Sequence, residues 1–263
     1  MTRFPTHFIP HGGGPCFFME NDPPDTWDPL AAWLRALPST LPEKPKAIVV
    51  ISGHWEEHPV AVNAGAHPPM LFDYYGFPRR TYELSYPAPG DPALAARIKD
   101  LIEKTGIPVR LEGERGFDHG VFVPFLLINP QADIPVVQLS LHPSLDPKVH
   151  LVLGNAIAPL RDEGVWIVGS GMSYHNLMRF RSQYNPGAKA FDDWLGAVVE
   201  AEPRARVQNL INWAKAPSAR ESQPREDHLV PLFVAAGAAL EEPAERVFND
   251  DPWNAAISGF RFG

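Results

Sequence analysis

A run of five consecutive apolar residues, 47–51, places the strongest constraint on the fold of this chain. Most of the run is β-branched, and it stops at Ser52-Gly53. A short apolar run bounded by turn residues is typical of a strand that is buried on both faces of a parallel sheet. His54 follows directly. Ligands of open α/β sheets bind outside the carboxyl ends of the strands. The imidazole of His54 is therefore predicted to lie where a ligand binds and to take part in chemistry there.

Two further apolar segments lead into histidines in the same way. Residues 8–10 precede His11 and three glycines, and residues 165–168 lead through Gly-Ser-Gly to His175. The carboxyl ends of parallel strands lie at one edge of a sheet. The sequence therefore predicts that these imidazoles converge at that edge, although they are far apart along the chain.

Strand patterns alternate with helix patterns along the whole chain. This alternation predicts an α/β fold, a single domain over 1–263 with a mostly parallel central sheet flanked by helices. The predicted strands are 6–10, 46–53, 60–63, 107–111, 134–139, 165–168 and, at the edge of the sheet, 255–262. The predicted helices are 28–37, 92–104, 121–128, 146–161, 187–201, 204–215 and 229–240.

Charge and composition exclude several classes of protein. The formal charge is −8 and no Lys/Arg run is dense enough to follow a phosphate backbone, which argues against nucleic acid as a partner. No apolar run approaches the ~18 residues of a membrane helix, and no signal-peptide pattern is visible. The single cysteine, Cys16, excludes an intrachain disulfide and favours a cytoplasmic protein.

Three histidines are candidate metal ligands. His11 and His54 could bind one divalent ion, since imidazole suits Zn, Fe, Cu and Ni. The alternative is two turn histidines that bond to the backbone. His228 follows Glu226 and Asp227 at a predicted helix start, and each of these three side chains could be a further ligand. A plain helix cap at Asp227 is the competing interpretation.

The other histidines divide into two groups. His175 lies at a strand-to-helix transition, which suggests an acid–base role because histidine titrates near neutrality. His119 precedes a predicted helix, and the alternative for it is a helix-entry residue with Asp118 as the cap. Five histidines are predicted to be surface or loop residues: His7, His58, His67, His142 and His150.

Seven short motifs follow one another along most of the chain, from residue 11 to residue 232. They are His-Gly-Gly-Gly-Pro, Val-Val-Ile-Ser-Gly-His-Trp-Glu, Asp-Tyr-Tyr-Gly-Phe-Pro, Tyr-Pro-Ala-Pro-Gly, Gly-Phe-Asp-His-Gly, Gly-Ser-Gly-Met-Ser-Tyr-His-Asn and Glu-Asp-His-Leu-Val-Pro-Leu. Together they resemble the class III extradiol ring-cleaving dioxygenases of the LigB-type superfamily, and within it the DOPA-dioxygenase branch. The resemblance implies a non-haem Fe(II) site that opens a small aromatic diol with O₂, with Zn²⁺ possible in the isolated protein. The oligomeric state, monomer or homodimer, is left open.

The resemblance also implies roles for individual residues. The matching positions are His11, His54 and His228 for the metal, His175 for the acid–base, and His119 for a residue that contacts a metal ligand or the substrate. The third ligand departs from the glutamate of the wider superfamily, so Glu226 and Asp227 stay as alternatives. Two other functions use the same residues: a zinc hydrolase, because a three-histidine site also activates water, and a non-catalytic metal-binding or interaction protein.

An aromatic-rich loop at 72–86 is the candidate substrate contact. Tyr74 and Phe77 could stack on an aromatic ring, and Arg79 could pair with a substrate carboxylate. An arginine partner would favour a carboxylated catechol such as DOPA, caffeate or protocatechuate. The alternative is a solvated loop that is packed by its own aromatic side chains.

Overall fold

The computed structural model describes residues 3–182 and 184–263. Its strands are β1 Thr6–Pro10, β2 Ala47–Glu56, β3 Val60–Asn63, β4 Val109–Glu112, β5 Val136–Leu141, β6 Val165–Gly171, β7 Ala244–Asp250 and β8 Ile257–Phe262. Its helices are α1 Asp28–Ala36, α2 Pro92–Glu103, α3 His119–Ile128, α4 Pro147–Ile157, α5 Pro186–Val199, α6 Pro203–Ile211, α7 Ala219–Ser222 and α8 Val230–Gly237. Within the described ranges, none of the helices has the length and apolarity needed to cross a membrane.

All of these strands belong to one sheet with the order β4-β3-β5-β2-β6-β1-β8-β7. The four central strands, β5, β2, β6 and β1, are parallel to one another, and β3 is parallel to β4. Strand β3 runs antiparallel to β5, and β8 runs antiparallel to both β1 and β7. The predicted α/β class with a mostly parallel sheet is therefore confirmed.

Strand β2 lies at the centre of the sheet and is covered on both faces. Val49 and Ile51 belong to the core that contains residues of α4 and α8, whereas Ile48 and Val50 belong to the core that contains residues of α1 and α3. This division follows from the period of two, because successive side chains of a strand point to opposite faces. Each fully buried side chain of this kind contributes about 1.5–3 kcal/mol to folding.

The prediction that the C-terminal strand forms the edge of the sheet was wrong. Strand β8 pairs on both sides, and β7 occupies the edge. The sequence Ala-Glu-Arg-Val-Phe-Asn-Asp of β7 is largely polar and only partly buried. It lacks the apolar pattern that identifies an inner strand, so no strand is predicted there from the sequence.

The position of His54 relative to its strand also differs from the prediction. Strand β2 continues to Glu56, so His54 lies within it and not beyond its end. Regular pairing with β6 nevertheless stops at Ser52, and the register with β5 shifts between Ile51 and Glu56. An irregularity of this kind re-aims a side chain near a sheet rim. His54 is thereby turned toward the site.

Two histidines that were predicted to be surface or loop residues are buried. His7 lies in β1, where its Nδ1 accepts a hydrogen bond from Trp166 Nε1 at 3.0 Å. His150 lies in α4, and its Nε2 accepts one from His142 N at 3.0 Å. Burial lowers the pKa of His7 to about 3 and that of His150 to about 4, so both are neutral packing residues at pH 7.

Candidate metal centre and active-site cavity

Three imidazoles converge at the carboxyl edge of the sheet. His11 follows β1, His54 belongs to β2, and His228 lies just before α8. The Nε2 atom of His54 is 3.3 Å from that of His11 and 3.1 Å from that of His228. Ligand atoms of all three side chains lie within 4.8 Å of one another. The fold therefore brings together the imidazoles of His11, His54 and His228.

This spacing fits a single divalent ion. Two nitrogens that are each about 2.1 Å from one ion, at angles of about 90–110°, lie about 3.0–3.4 Å apart. Burial, followed by the charges of the neighbouring imidazoles, holds the pKa values of His11 and His228 well below the ordinary value. Burial likewise lowers the pKa of His54 to about 3. All three are therefore neutral, which is the form that binds a metal.

Hydrogen bonds at the opposite ring nitrogens select the tautomer that a metal requires. The hydroxyl of Ser170 donates to Gly120 O, so its oxygen accepts a bond from His11 Nδ1 at 3.1 Å. Nδ1 of His228 donates to Asp227 Oδ2 at 3.0 Å. Each bond places the ring proton on Nδ1 and leaves the lone pair of Nε2 free. Metal-binding histidines are commonly oriented in this way.

Glycines at the strand ends allow the backbone segments to approach one another. A Cβ atom on Gly171 would lie only 2.1 Å from His228 O, so a larger residue would displace the third histidine. The next residue, Met172, donates its backbone N–H to the same carbonyl at 2.9 Å. Gly12 has φ +80°, which lets the chain turn directly after His11.

A buried polar network fixes the strand end that carries His54. The carboxylate of Asp118 is fully buried and accepts hydrogen bonds from Ser52 Oγ at 2.7 Å and Gln138 Nε2 at 2.5 Å. Arg115 donates to both Asp118 Oδ2 and His54 O, in each case at 3.2 Å. Asp118, the alternative cap, is the N-cap residue of α3, but its side chain makes no capping bond because these partners engage its carboxylate instead.

His175 lies directly against the cluster. Its ring stacks on the ring of His228 with centroids 3.4 Å apart and an interplanar angle of 16°. Its backbone N–H donates to Ser222 O at 2.9 Å, which ties the loop after β6 to α7. Burial lowers the pKa of His175, although the charge of Asp227 opposes the shift. The imidazole is therefore neutral near pH 7 and able to accept a proton.

His119 is held by an aspartate that the sequence reasoning did not single out. Asp73 Oδ1 accepts hydrogen bonds from His119 Nδ1 at 2.7 Å and from His119 N at 3.0 Å. Its other oxygen lies 3.7 Å from His54 Nδ1. Burial alone would raise the pKa of Asp73, but the hydrogen bond and charge of His119 hold it below its usual value. The sequence feature that could have identified Asp73 is its position at the start of the Asp-Tyr-Tyr-Gly-Phe-Pro motif.

A cavity of about 420 Å³ opens on the histidine cluster. Five imidazoles reach it: His11, His54, His119, His175 and His228. The rest of its wall is mainly apolar and aromatic and includes Trp27, Tyr74, Phe77, Met172, Leu177, Phe180 and Trp253. A small cavity with apolar walls and a few convergent polar groups is typical of a site for a small organic ligand.

One family of proteins matches this chain over nearly its whole length. The family described as the catalytic LigB subunit of aromatic ring-opening dioxygenase matches residues 5–260. The chain belongs to the LigB family. The membership that the seven motifs indicated is thereby confirmed, and this LigB-family protein is an aromatic ring-opening dioxygenase of the extradiol type.

Two relatives of this LigB-family protein are named as extradiol dioxygenases. The chain is 39% identical to 4,5-DOPA dioxygenase extradiol of Beta vulgaris, over 97% of its own length and 94% of the relative. It is 36% identical to the protein of the same name from Escherichia coli K12, over 90% and 86%. A solved structure of an uncharacterized protein from Escherichia coli K12 superposes with a TM-score of 0.79 at 31% identity, and covers 99% of this chain and 100% of that one.

Of the three predicted substrate contacts of the LigB-family protein, two lie at the cavity and one does not. Tyr74 and Phe77 both line the cavity, and the Tyr74 hydroxyl donates to Thr81 O at 2.6 Å. Arg79 does not reach the cavity. Its side chain is 95% exposed and its Nε lies 3.5 Å from Glu83, because both residues belong to a short 3₁₀ turn on the outer surface.

The two carboxylates that precede His228 are engaged elsewhere. Glu226 forms an ion pair with Arg220, with its Oε2 2.5 Å from Nη1. Asp227 bonds to Nδ1 of His228, the ring nitrogen that faces away from the cluster. Helix α8 begins only at Val230, without a side-chain cap. The structure therefore brings His228, and not its acidic neighbours, to His11 and His54.

The contact between Asp73 and His119 leads to a testable expectation. Changing Asp73 to Asn keeps the size of the side chain but removes the charge that orients the imidazole. Turnover should fall about 10- to 100-fold while bound metal stays near one equivalent, as is usual when a partner behind a functional histidine is lost. Steady-state kinetics and elemental analysis measure both. Asp100→Asn on the exposed face of α2 serves as the control, and wild-type turnover in Asp73→Asn would contradict the orienting role.

Proposed function

We propose that this LigB-family protein opens the ring of a substituted catechol with O₂, using Fe(II) held by His11, His54 and His228, and that 1–263 forms one catalytic domain. In this reaction the carbon–carbon bond beside the two hydroxyls breaks. Both oxygen atoms of O₂ enter the product, so no external reductant is needed. The observation that carries the proposal is the convergence of three Nε2 atoms on the floor of a cavity with aromatic walls.

The donor set is compatible with more than one metal. Three neutral imidazoles suit Fe, Zn, Cu and Ni, so Zn²⁺ can also occupy the site in the isolated protein. When bound, Fe(II) would supply a Lewis acid for the two catechol oxygens and the redox centre for O₂. The protein supplies the rest. Ser170 and Asp227 hold two ligand rings in orientation, and the apolar wall limits the access of water.

Proton transfer is assigned to the two imidazoles outside the metal set. We propose that His175, neutral and facing the cavity, takes a proton from a catechol hydroxyl and later returns it to the opening ring. His119 also lines the cavity, and its Nδ1 is bonded to Asp73. Its remaining nitrogen, Nε2, is therefore the atom that can exchange a hydrogen bond or proton with the substrate.

The substrate is proposed to be DOPA or another substituted catechol. The relatives from Beta vulgaris and Escherichia coli are named for 4,5-DOPA, and they match most of this chain. Tyr74 and Phe77 are proposed to pack against the aromatic ring. Their own rings meet edge to face with centroids 5.4 Å apart, which forms an angled apolar wall beside His119.

Exchange of the metal tests this function. We expect chelator-treated protein to regain O₂ uptake and to form a yellow ring-opened product when it is reloaded with Fe(II) in the presence of a catechol. Reloading with Zn²⁺ should restore catechol binding without ring opening. Ester or amide hydrolysis that is restored by Zn²⁺, together with no O₂ uptake after Fe(II) loading, would instead support the zinc-hydrolase interpretation.

A further inference from the structure

The wall of the cavity carries a single formally charged side chain among the residues that the structure describes. That residue is Arg181, and no Asp, Glu or Lys shares the lining with it. The remainder is aromatic, aliphatic or neutral polar, apart from the histidines. A guanidinium in a mainly apolar wall, with no acid beside it in that wall, favours a ligand that brings a negative charge of its own.

Arg181 is positioned by a second segment from the far end of the chain. Its guanidinium carbon lies 4.6 Å from the ring centroid of Trp253, in a cation–π contact. The loop is tied to the same segment on either side of Arg181. Asn254 Nδ2 donates to Ser182 O at 3.1 Å, and the ring of Phe180 lies 6.3 Å from that of Trp253. The arginine is therefore held at the cavity by packing.

Other arginines near this region are paired with acids, and Arg181 is not. Arg179, two residues earlier, forms an ion pair with Glu221 outside the cavity. Arg79 is paired with Glu83 on the outer surface. Within the described parts of the chain, no carboxylate lies within ion-pair distance of Arg181. Its donors are solvated and available, and a guanidinium presents them in a fork that matches a carboxylate.

We propose that Arg181 is a specificity-determining residue that binds a carboxylate on the side chain of the catechol while the diol faces the histidines. This inference rests on the proposed function and moves the role predicted for Arg79 to a residue 102 positions further along the chain. Since Arg181 is exposed, the expected contribution is modest, about 3- to 5-fold in affinity.

Binding to the Zn²⁺-loaded protein tests the inference without turnover. Calorimetry compares three probes that share the diol: neutral 4-methylcatechol, anionic 3-(3,4-dihydroxyphenyl)propionate and cationic dopamine. Arg181→Gln should weaken the anionic probe about 3- to 5-fold and change the neutral one by less than about twofold. Arg181→Lys should be intermediate, because the charge is kept and the fork is lost. Added salt should weaken only the anionic probe, and only where the positive charge is present.

Two matched variants keep the test specific. Arg179→Gln removes a neighbouring charge from the same loop and should leave all three affinities unchanged. Arg79→Gln tests the site that the sequence predicted. Equal weakening of all probes by Arg181→Gln, or selective weakening by Arg79→Gln instead, would overturn the inference while leaving ring opening by the Fe(II) enzyme intact. Failure of the wild-type protein to bind any catechol would overturn the proposed function as well.

Discussion

Replacing His54 with alanine is expected to remove both the bound metal and the ring-opening activity. His54 is the histidine that links the cluster, because its Nε2 makes both short contacts, at 3.3 Å to His11 and 3.1 Å to His228. Loss of a ligand should cost more than the ~10–100-fold that loss of a ligand's outer partner costs. We expect at least about a 10³-fold fall in turnover and little retained metal, measured by O₂ uptake and elemental analysis.

A matched control variant distinguishes loss of the metal ligand from a nonspecific effect of substitution on folding. His67 is exposed, so His67→Ala should keep wild-type metal content and turnover. Circular dichroism should show that the His54 variant remains folded, since its side chain is only part of a cavity wall. A His54→Ala protein that holds one equivalent of metal and turns over normally would show that these three imidazoles are not the metal centre.

Replacing His175 with phenylalanine is expected to keep the metal and lose catalysis. Phenylalanine can preserve the flat stacking on His228, whose ring centroid lies 3.4 Å away, but it can neither accept nor return a proton. Removal of general acid–base assistance typically costs about 10²–10⁴-fold in rate, and we expect a fall of that size in kcat. His175→Ala should behave similarly, with a larger cavity.

The binding of 4-methylcatechol to the Zn²⁺-loaded variant distinguishes loss of chemistry from loss of the site. The affinity of His175→Phe should remain within about threefold of the wild-type value, because the metal and the aromatic wall are unchanged. The acid–base assignment would fail if the variant lost its metal, or if it kept wild-type kcat when fully loaded with Fe(II). In that case His119 would become the principal candidate for proton transfer.

Local sequence patterns predicted a structural feature correctly where all the residues that determine it lie in one contiguous segment. The apolar run of β2 indicated a doubly buried central strand, and alternate residues of that run enter the two cores. Asp91 and Asp146, each followed by proline, begin α2 and α4 with side-chain caps, as N-cap aspartates do. The position of His11 after an apolar strand likewise predicted its place at the sheet edge.

Long-range packing decided what these patterns could not show. The burial of His7 depends on Trp166, and the orientation of His119 depends on Asp73. The place of Arg181 depends on Trp253, which lies 72 residues later in the chain. The residues that flank an arginine in the sequence do not show whether it lies on the surface or at a cavity. No periodicity therefore distinguished Arg79 from Arg181.

The α/β class, the buried central strand and the family to which the motifs belong could all be predicted from the order of the residues. It could do so because hydrophobic periodicity, caps and short motifs are properties of contiguous segments. The packed fold was needed to show which ring nitrogen of each histidine faces its neighbours, which acid holds which imidazole, and which arginine reaches the cavity. These features depend on contacts between residues far apart in the chain, and such contacts exist only once the sheet and its helices have packed.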